Sequence, residues 1–324
     1  MTQLIPYSPS SGLTPAAGQI PQMFLNAGER ATNRFLEFFA ANIRNAGTRA
    51  AYLNAVNRFC AWSDEHGVQL NKVSPLVVAT YIETLMKQLS APSVKLHLAA
   101  IRMLFDYLVT GQIIPFNPAA SVRGPRHVVR KGKTPVLAGS EAKLLLGSIE
   151  TDTIIGLRDS ALIGLMTYSF ARVSAAIGMD IEDFYPQGCR MWFRLHEKGG
   201  KYHEVPAHRH AVDYLDAYLA ATARTDRKKL PLFCTFSRKG DLTETRLHRT
   251  DALRMVKRRA IKAGLPGNIC NHTFRATGIT NYLENDGNLE NAQLIAGHED
   301  VRTTKLYDRT GDIISIDEIE KISL

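Results

Sequence analysis

Four polar side chains near the carboxyl end of the chain have types and spacings suited to chemistry on a phosphodiester. His272 and Arg275 are three residues apart in NHTFRATGITNYL, so a helix would place them on one face. His298 follows in AQLIAGHEDV, and Tyr307 comes nine residues after it. An arginine can neutralise a phosphate, a histidine can donate a hydrogen bond or move a proton, and a tyrosine hydroxyl can attack phosphorus.

Two cationic side chains upstream extend this set. Arg172 lies in a break after an apolar helical pattern, and Lys198 lies at a predicted hairpin turn in HEKGGKYHEVP. Together the cations could offset the charge of a pentacoordinate phosphoryl transition state. The sequence has no dense carboxylate cluster of the kind that holds magnesium. The set therefore predicts metal-free phosphoryl transfer on a nucleic acid backbone.

The composition agrees with a folded protein that binds a polyanion. The 324 residues include 40 Lys and Arg against 31 Asp and Glu, a net charge of +9. This excess fits nucleic acid, anionic lipid or an acidic partner, and by itself also a merely soluble basic protein. No apolar run approaches the ~20 residues of a membrane helix, which argues against a membrane protein. Four widely spaced cysteines without a CxxC motif favour neither disulfides nor zinc, and they fit the cytoplasm.

The amino-terminal part is predicted to be helical. Residues 1–27 are rich in Pro, Ser, Gly and Ala and predict a flexible tail. Residues 28–115 predict a small bundle of four amphipathic helices. Pro75 and Pro92 suit the first turns of the third and fourth helices, and Thr48 could cap the second.

A basic linker is predicted over residues 116–135. Its prolines and glycine break helices, and it has no acidic residue. Such a segment could be a solvated charged surface or could lie along a phosphate backbone. The candidate DNA-binding residues are Arg123, Arg126, Arg130 and Lys131.

Residues 136–312 predict a mixed α+β domain that is mainly helical. Strands are expected at 181–185, 189–195 and 202–205, with a turn at 199–200, so a small antiparallel sheet lies among the helices. Gly297 should end one helix and Asp300 should cap the next. Residues 313–324 form a tail that combines isoleucines with acidic residues, which suits a protein contact better than a DNA contact.

Taken together, these motifs resemble the tyrosine site-specific recombinases of the phage integrase family. That family has H-x-x-R, then G-H, then a tyrosine nine residues after that histidine, and all three occur here in order. SFARVSAAIGM resembles the segment of its first catalytic arginine, and EKGGKYHEVP its lysine hairpin. SAPSVKLHLAAIRMLFDYLVTGQIIPFNPAASV resembles the end of its core-binding domain, so the resemblance covers about residues 28–312.

The resemblance implies both a fold and a reaction. A helical SAM-like core-binding domain and the catalytic domain form a C-shaped clamp around duplex DNA. Four protomers hold two DNA recombination sites, whose strands are cut, exchanged and rejoined, and the tail docks on a neighbouring protomer. No cofactor is needed, because the phosphotyrosine bond keeps the energy of the broken phosphodiester. Accessory proteins, the target sequence and the biological role stay undefined.

The resemblance further implies roles for the three cationic residues. Arg172 and Arg275 would clamp the non-bridging oxygens of the scissile phosphate, and Lys198 would protonate the leaving 5′-oxygen. Two departures concern Arg172. Ala175 stands where the family usually has a supporting acidic residue, and SFAR replaces the common TGLR.

Roles follow in the same way for the histidines and the tyrosine. His272 would assist proton transfer at the attacking hydroxyl, His298 would hydrogen-bond the phosphate, and Tyr307 would be the nucleophile. Phe274 replaces the usual leucine, a mild apolar change. The alternatives are a type IB topoisomerase with the same chemistry and a catalytically silent DNA-binding regulator with this fold.

Overall fold

A computed structural model describes residues 20–127, 132–197 and 202–308. The chain divides into two compact units, which we call the N-terminal unit (Met1–Val128) and the C-terminal unit (Val129–Leu324). Among the described residues, no helix is both long enough and apolar enough to cross a membrane.

The N-terminal unit is a helical bundle around an aromatic core. Phe59 illustrates the packing, since its ring lies 5.1 Å from that of Tyr81 and 6.0 Å from that of Phe105. All three rings are buried. The helices are α1 (Gln22–Asn26), α2 (Glu29–Glu37), which continues as a π-turn over Phe38–Asn42, α3 (Ala46–Glu65), α4 (Pro75–Met86) and α5 (Ala91–Thr110).

Helix α1 lies inside the segment that the sequence predicts to be a flexible tail. Met23 and Phe24 are buried in the core, and the Phe24 ring lies 4.5 Å from that of Phe35. The tail prediction is therefore wrong for α1, because two apolar side chains anchor it. Residues 1–19 lie outside the described residues.

The structure confirms two predicted helix starts at prolines and contradicts one predicted helix cap. Pro75 and Pro92 lie in the first turns of α4 and α5, as predicted. Helix α3 begins earlier than expected, and its cap is Asn45, whose side chain accepts a hydrogen bond from the Thr48 N–H at 3.0 Å. Thr48 is thus inside the helix it was expected to cap.

The first part of the predicted linker belongs to the N-terminal unit. The side chain of Asn117 donates to the Arg102 carbonyl at 3.0 Å, and Arg102 Nε donates to the Ala119 carbonyl at 3.0 Å. Ala119 and Val122 are buried in this unit's core. The prediction of a linker that starts at residue 116 is therefore wrong, because this segment packs on α5.

The C-terminal unit combines helices with two antiparallel sheets. Its described helices are α6 (Gly139–Gly147), α7 (Ile154–Tyr168), α8 (Val173–Gly178), α9 (Arg209–Thr222), α10 (Arg249–Lys262), α11 (Asn271–Glu284), α12 (Leu289–Ala296) and α13 (Val301–Lys305). Its described strands are β1 (Phe184–Gln187), β2 (Arg190–His196), β3 (Tyr202–Pro206), β4 (Cys234–Phe236) and β5 (Leu242–Arg246).

The three-stranded sheet has the predicted antiparallel order β1-β2-β3. Phe193 pairs with Phe184 on one side and Val205 on the other, and all three side chains face the core. The first strand starts at Phe184 instead of residue 181, because Ile181–Asp183 forms a 3₁₀ turn. The hairpin of β4 and β5 was not predicted, since its second strand, LTETR, is too polar to show a buried face.

A buried ion-pair network joins two helices of this unit. Asp159 on α7 is fully buried and accepts from Arg158 at 2.6 Å and from Arg259 of α10 at 2.9 Å. Arg158 also donates to the Cys234 carbonyl at 3.0 Å. The carboxylate therefore ties α7, α10 and the β4 hairpin together.

Candidate active site

Arg275 is held inside the C-terminal unit by three partners. It lies on the buried half of α11, with only 2% of its surface exposed. Its Nη2 donates to the Ala296 carbonyl at 2.7 Å and to His298 Nε2 at 2.6 Å, and its Nη1 donates to the Phe170 carbonyl. These bonds fix the guanidinium to the ends of α7 and α12.

The turn before Arg172 adopts a backbone conformation that favours glycine. Phe170 has φ of +54° and takes the place of the glycine in TGLR, the family sequence that SFAR replaces. Its ring is buried against Ile279 and Ala296, which stabilises the turn. A Cβ atom at Gly278 would lie 2.8 Å from this ring, so α11 needs glycine there. The turn thereby presents its carbonyl to Arg275.

The segment around His298 is built as the sequence predicts. Gly297 ends α12 with φ of +58°, and the Asp300 side chain accepts from the Arg302 N–H at 2.8 Å at the start of α13. His298 Nδ1 lies 2.9 Å from the buried Thr304 hydroxyl. Because Nε2 accepts from Arg275, we assign the ring proton to Nδ1.

Tyr307 lies two residues beyond α13, beside His298. The two rings are parallel within 8°, with centroids 5.9 Å apart. The Tyr307 carbonyl accepts from the Thr280 hydroxyl at 2.9 Å, and its N–H donates to the Thr304 carbonyl at 2.9 Å. These bonds hold the half-buried tyrosine next to the α11 residues. Tyr282, the other tyrosine of the motif region, packs edge-on against the Phe170 ring at 6.0 Å.

Arg172 begins α8 and keeps an open side chain. Its carbonyl accepts from the Ala175 and Ala176 N–H groups at 2.9 and 3.0 Å. Its Nη1 bonds Glu197 Oε2 at 2.7 Å, while 33% of the Arg172 side chain stays exposed. Ala175 is fully buried in the apolar core.

Burial and mutual repulsion shape the electrostatics of these groups. Burial, followed by the charge of Arg172, lowers the pKa of Arg275 to about 10, while Tyr307 and Glu197 act in the opposite direction. Burial and the two arginines also lower the pKa of His298 to about 3 and shift the pKa of His272 downwards. The site therefore favours neutral histidines beside charged arginines.

The structure brings five of the six predicted catalytic residues into one cluster. Arg275 bonds His298, Tyr307 stacks on His298, and the charges of Arg172 and Arg275 act on His272, an exposed residue in the first turn of α11. In the part of the chain that the structure describes, no group of His, Cys, Asp and Glu is arranged to hold a metal ion.

The sixth predicted residue, Lys198, lies outside the described residues. The strand that follows it is fixed, since His203 Nε2 on β3 lies 2.9 Å from the Ile295 carbonyl of α12. Of the predicted DNA-binding residues, Arg123 and Arg126 are exposed in the N-terminal unit, and Arg130 and Lys131 also lie outside the described residues.

Sequence reasoning missed three residues that hold the site together. Glu197 bonds Arg172, Thr304 bonds His298, and the Phe170 carbonyl accepts from Arg275. Two sequence signals pointed to them, namely the missing carboxylate at Ala175 and the missing glycine at Phe170. Nothing in the sequence pattern marks Thr304.

Comparisons with known proteins agree with this geometry. The phage integrase family matches residues 135–312, and the phage integrase N-terminal SAM-like domain matches residues 33–112. The tyrosine recombinase XerC of Chlamydia trachomatis is 31% identical over 226 residues, which cover 70% of this chain and 69% of XerC. The tyrosine recombinase XerD of Chlorobaculum tepidum is 28% identical over 282 residues, which cover 84% and 89%.

A solved structure shows the same fold. The XerH site-specific recombinase, bound to its difH substrate in a pre-cleavage complex, aligns with a TM-score of 0.65 at 18% identity. The alignment covers 96% of this chain and 90% of XerH. The predicted fold class, a helical domain followed by a mainly helical domain with a small antiparallel sheet, is confirmed.

Proposed function

We propose a role for each active-site residue of this chain. The chain belongs to the phage integrase family and is a tyrosine recombinase, an enzyme that cuts and rejoins DNA strands at specific sites. The observation that carries the proposal is the cluster of Arg275, His298 and Tyr307, joined by hydrogen bonding and ring stacking. The cluster places a nucleophile beside the groups that can hold its target phosphate.

Tyr307 is the nucleophile in this proposal. Its phenolic oxygen attacks the scissile phosphorus, the bond from phosphorus to the 5′-oxygen breaks, and a 3′-phosphotyrosine forms. His272 takes up the tyrosine proton, a step that its lowered pKa supports because the neutral ring has a free lone pair. Lys198 supplies the proton to the leaving 5′-oxygen.

The two arginines stabilise the charge that develops on the phosphate. Arg172 has an open guanidinium edge that a non-bridging oxygen can reach, whereas Arg275 is mostly engaged with carbonyls. A preorganised donor of this kind typically contributes about 100- to 1000-fold in rate. In the structure, His298 orients Arg275 by accepting a hydrogen bond at Nε2. The negative charge of an approaching phosphate would raise the pKa of His298, and the protonated Nε2 could then donate a hydrogen bond to the phosphate.

An exchange assay with two DNA sites tests this proposal. Wild-type protein should produce recombinant DNA, and Tyr307→Phe should bind both sites without producing any. A type IB topoisomerase would relax supercoiled DNA without exchange, and a silent regulator would form no covalent adduct on a nicked substrate. Either result from the wild-type protein would contradict the proposed function.

A modified substrate tests the role of Lys198. A 5′-bridging phosphorothioate has a leaving group that needs no proton, so it should restore cleavage by Lys198→Ala. Lys201→Ala is the matched control, because Lys201 lies in the same hairpin sequence. Rescue of Lys201→Ala alone would assign the general acid to Lys201.

We propose that the active form is a homotetramer on two duplex recombination sites in the cytoplasm. A groove of about 810 Å³ in the C-terminal unit could receive the tail of a neighbouring protomer. Leu146, Tyr168 and Ile295 contribute apolar lining, and Lys143 and Arg190 contribute two cations. This chemistry matches a tail of isoleucines and acids over residues 313–324.

Two variants test this docking. Removal of residues 314–324 and Lys143→Glu should both preserve single-site binding and weaken the pairing of two sites, since each removes one side of the contact. Lys239→Glu, at an exposed residue outside the groove lining, is the control for charge. Wild-type pairing by the truncated protein would contradict tail docking.

The salt dependence of DNA binding tests the basic segment. Arg123 and Arg126 are exposed, which leaves them free to contact phosphates. Replacing Arg126, Arg130 and Lys131 with alanine should make the slope of log K against log salt shallower by about 0.9 for each neutralised phosphate. An unchanged slope would make this segment a solvated surface.

A further inference from the structure

A carboxylate contacts Arg172 from an unexpected part of the chain. The position three residues after Arg172 is Ala175, which is buried among apolar side chains and offers no hydrogen bond. The carboxylate comes instead from Glu197, which directly follows β2. Glu197 Oε2 lies 2.7 Å from Arg172 Nη1, and only 11% of the Glu197 side chain is exposed.

We propose that Glu197 is the positioning residue for Arg172 and replaces the carboxylate that position 175 lacks. The proposal rests on the assigned role of Arg172 at the scissile phosphate. Glu197 holds one Nη of the guanidinium, and within residues 20–127, 132–197 and 202–308 no other side chain accepts from it, so its remaining donors can reach a phosphate oxygen. It does not react itself.

The surroundings of Glu197 favour this role over that of a surface ion pair. Strand β2 is paired on both sides, since Leu195 pairs with His203 and Phe193 with Phe184. The sheet therefore holds the main chain immediately before Glu197 in position. A carboxylate held there costs little further entropy when it binds Arg172. Exposed ion pairs contribute little to stability, whereas a largely buried carboxylate depends on its partner.

Charge balance gives a second reason for the carboxylate. Burial and then the charge of Arg172 lower the pKa of Arg275, and Glu197 acts against this lowering. Two buried or half-buried cations that converge on one phosphate need compensation before the phosphate arrives. The second oxygen, Oε1, is buried without a hydrogen-bond partner among the described residues, so the contact with Arg172 is what compensates this carboxylate.

A double-mutant cycle tests the proposal in the full-length protein. Single-turnover cleavage of a nicked DNA site and equilibrium DNA binding would be measured for Glu197→Gln, Arg172→Ala and the double variant. Glu197→Gln should slow cleavage by about 10- to 100-fold without weakening binding, which is the range expected for the loss of one hydrogen bond between charged groups. In the Arg172→Ala background the same change should alter the rate by less than about two-fold.

A matched control separates this effect from general damage to the hairpin. Glu204 on β3 bonds Arg194 at 3.0 Å and is largely exposed, so Glu204→Gln should cleave at the wild-type rate. Equal losses from Glu197→Gln in both backgrounds would overturn the proposal, because the effect would not pass through Arg172. Faster cleavage by Glu197→Gln would also overturn it and make Glu197 a competitor of the phosphate. Wild-type cleavage by Arg172→Ala would instead refute the assigned role of Arg172.

Discussion

Replacing Arg275 with alanine should damage stability as well as activity, whereas replacing Arg172 should damage mainly activity. Both residues are assigned to the same phosphate, but their surroundings differ. Arg275 is 2% exposed and donates to two main-chain carbonyls, whereas the Arg172 side chain is 33% exposed and, among the described residues, bonds Glu197. The two variants therefore separate a structural contribution from a catalytic one.

The size of the effect follows from the hydrogen bonds that would be lost. A hydrogen bond to a charged group contributes about 1.5–3 kcal/mol, so two such bonds contribute about 3–6 kcal/mol. The burial that lowers the pKa of Arg275 offsets part of this sum, so we expect Arg275→Ala to lose about 3 kcal/mol. Arg172 is partly exposed, but its loss leaves the mostly buried Glu197 carboxylate without this contact, so we expect Arg172→Ala to lose about 1.5 kcal/mol, the lower end for one hydrogen bond between charged groups.

Urea unfolding followed by tryptophan fluorescence can measure this difference. The chain has two tryptophans, Trp62 in the N-terminal unit and Trp192 in β2, so a Trp62→Phe background reports on the C-terminal unit. With a urea dependence of about 1–3 kcal/mol per molar, Arg275→Ala should lower the midpoint by about 1–3 M. Arg172→Ala should lower the midpoint by about half as much.

Cleavage should fall by about 100- to 1000-fold in both variants, with DNA binding nearly unchanged. Arg275→Lys should recover part of the stability, since an ammonium can still reach one carbonyl. Equal midpoints for Arg172→Ala and Arg275→Ala would refute the reasoning, because they would show that the carbonyl contacts of Arg275 add nothing to stability.

Three further predictions concern stability, pH and metal ions. Asp159→Ala should destabilise the C-terminal unit by about 3–5 kcal/mol, because it leaves two arginines without their buried partner. Glu244→Ala, which breaks an exposed ion pair, is the control and should cost about 0–1 kcal/mol. Equal losses of stability for the two variants in urea unfolding would contradict the importance of the buried network. His298 has a folded pKa of about 3 against an ordinary value near 6.5, so its contribution is complete above about pH 6.5 and declines as the pH falls towards 3. His298→Gln should therefore reduce the loss of stability between pH 7 and pH 5 by up to about 2 kcal/mol, and an unchanged loss would refute the assignment. Cleavage should persist in EDTA at matched ionic strength, because arginines, histidines, a lysine and a tyrosine perform every proposed step. Loss of cleavage that magnesium restores would contradict this mechanism.

The sequence predicted the parts of the site that depend on local spacing. The positions of Gly297 and Asp300 fix the turn at His298, and both are confirmed because capping depends on a few adjacent residues. The helix expected from the three-residue spacing of His272 and Arg275 is α11, which carries both residues.

Contacts between distant segments could not be predicted in this way. The pairing of Arg172 with Glu197 spans 25 residues and that of Arg275 with Phe170 spans 105, so neither has a local signature. Helix α1 was missed for the same reason, since Phe24 is stabilised by tertiary contacts instead of by helix propensity.

Mapping the covalent adduct tests the central claim most directly. Wild-type protein would be trapped on a nicked DNA site that cannot be religated, digested with protease and analysed by mass spectrometry. The DNA should be attached to the peptide that contains Tyr307, and Tyr307→Phe should bind the site without forming any adduct, while Tyr282→Phe should retain the adduct. An adduct at Tyr282, or one that persists in Tyr307→Phe, would contradict the assignment of Tyr307 as the nucleophile.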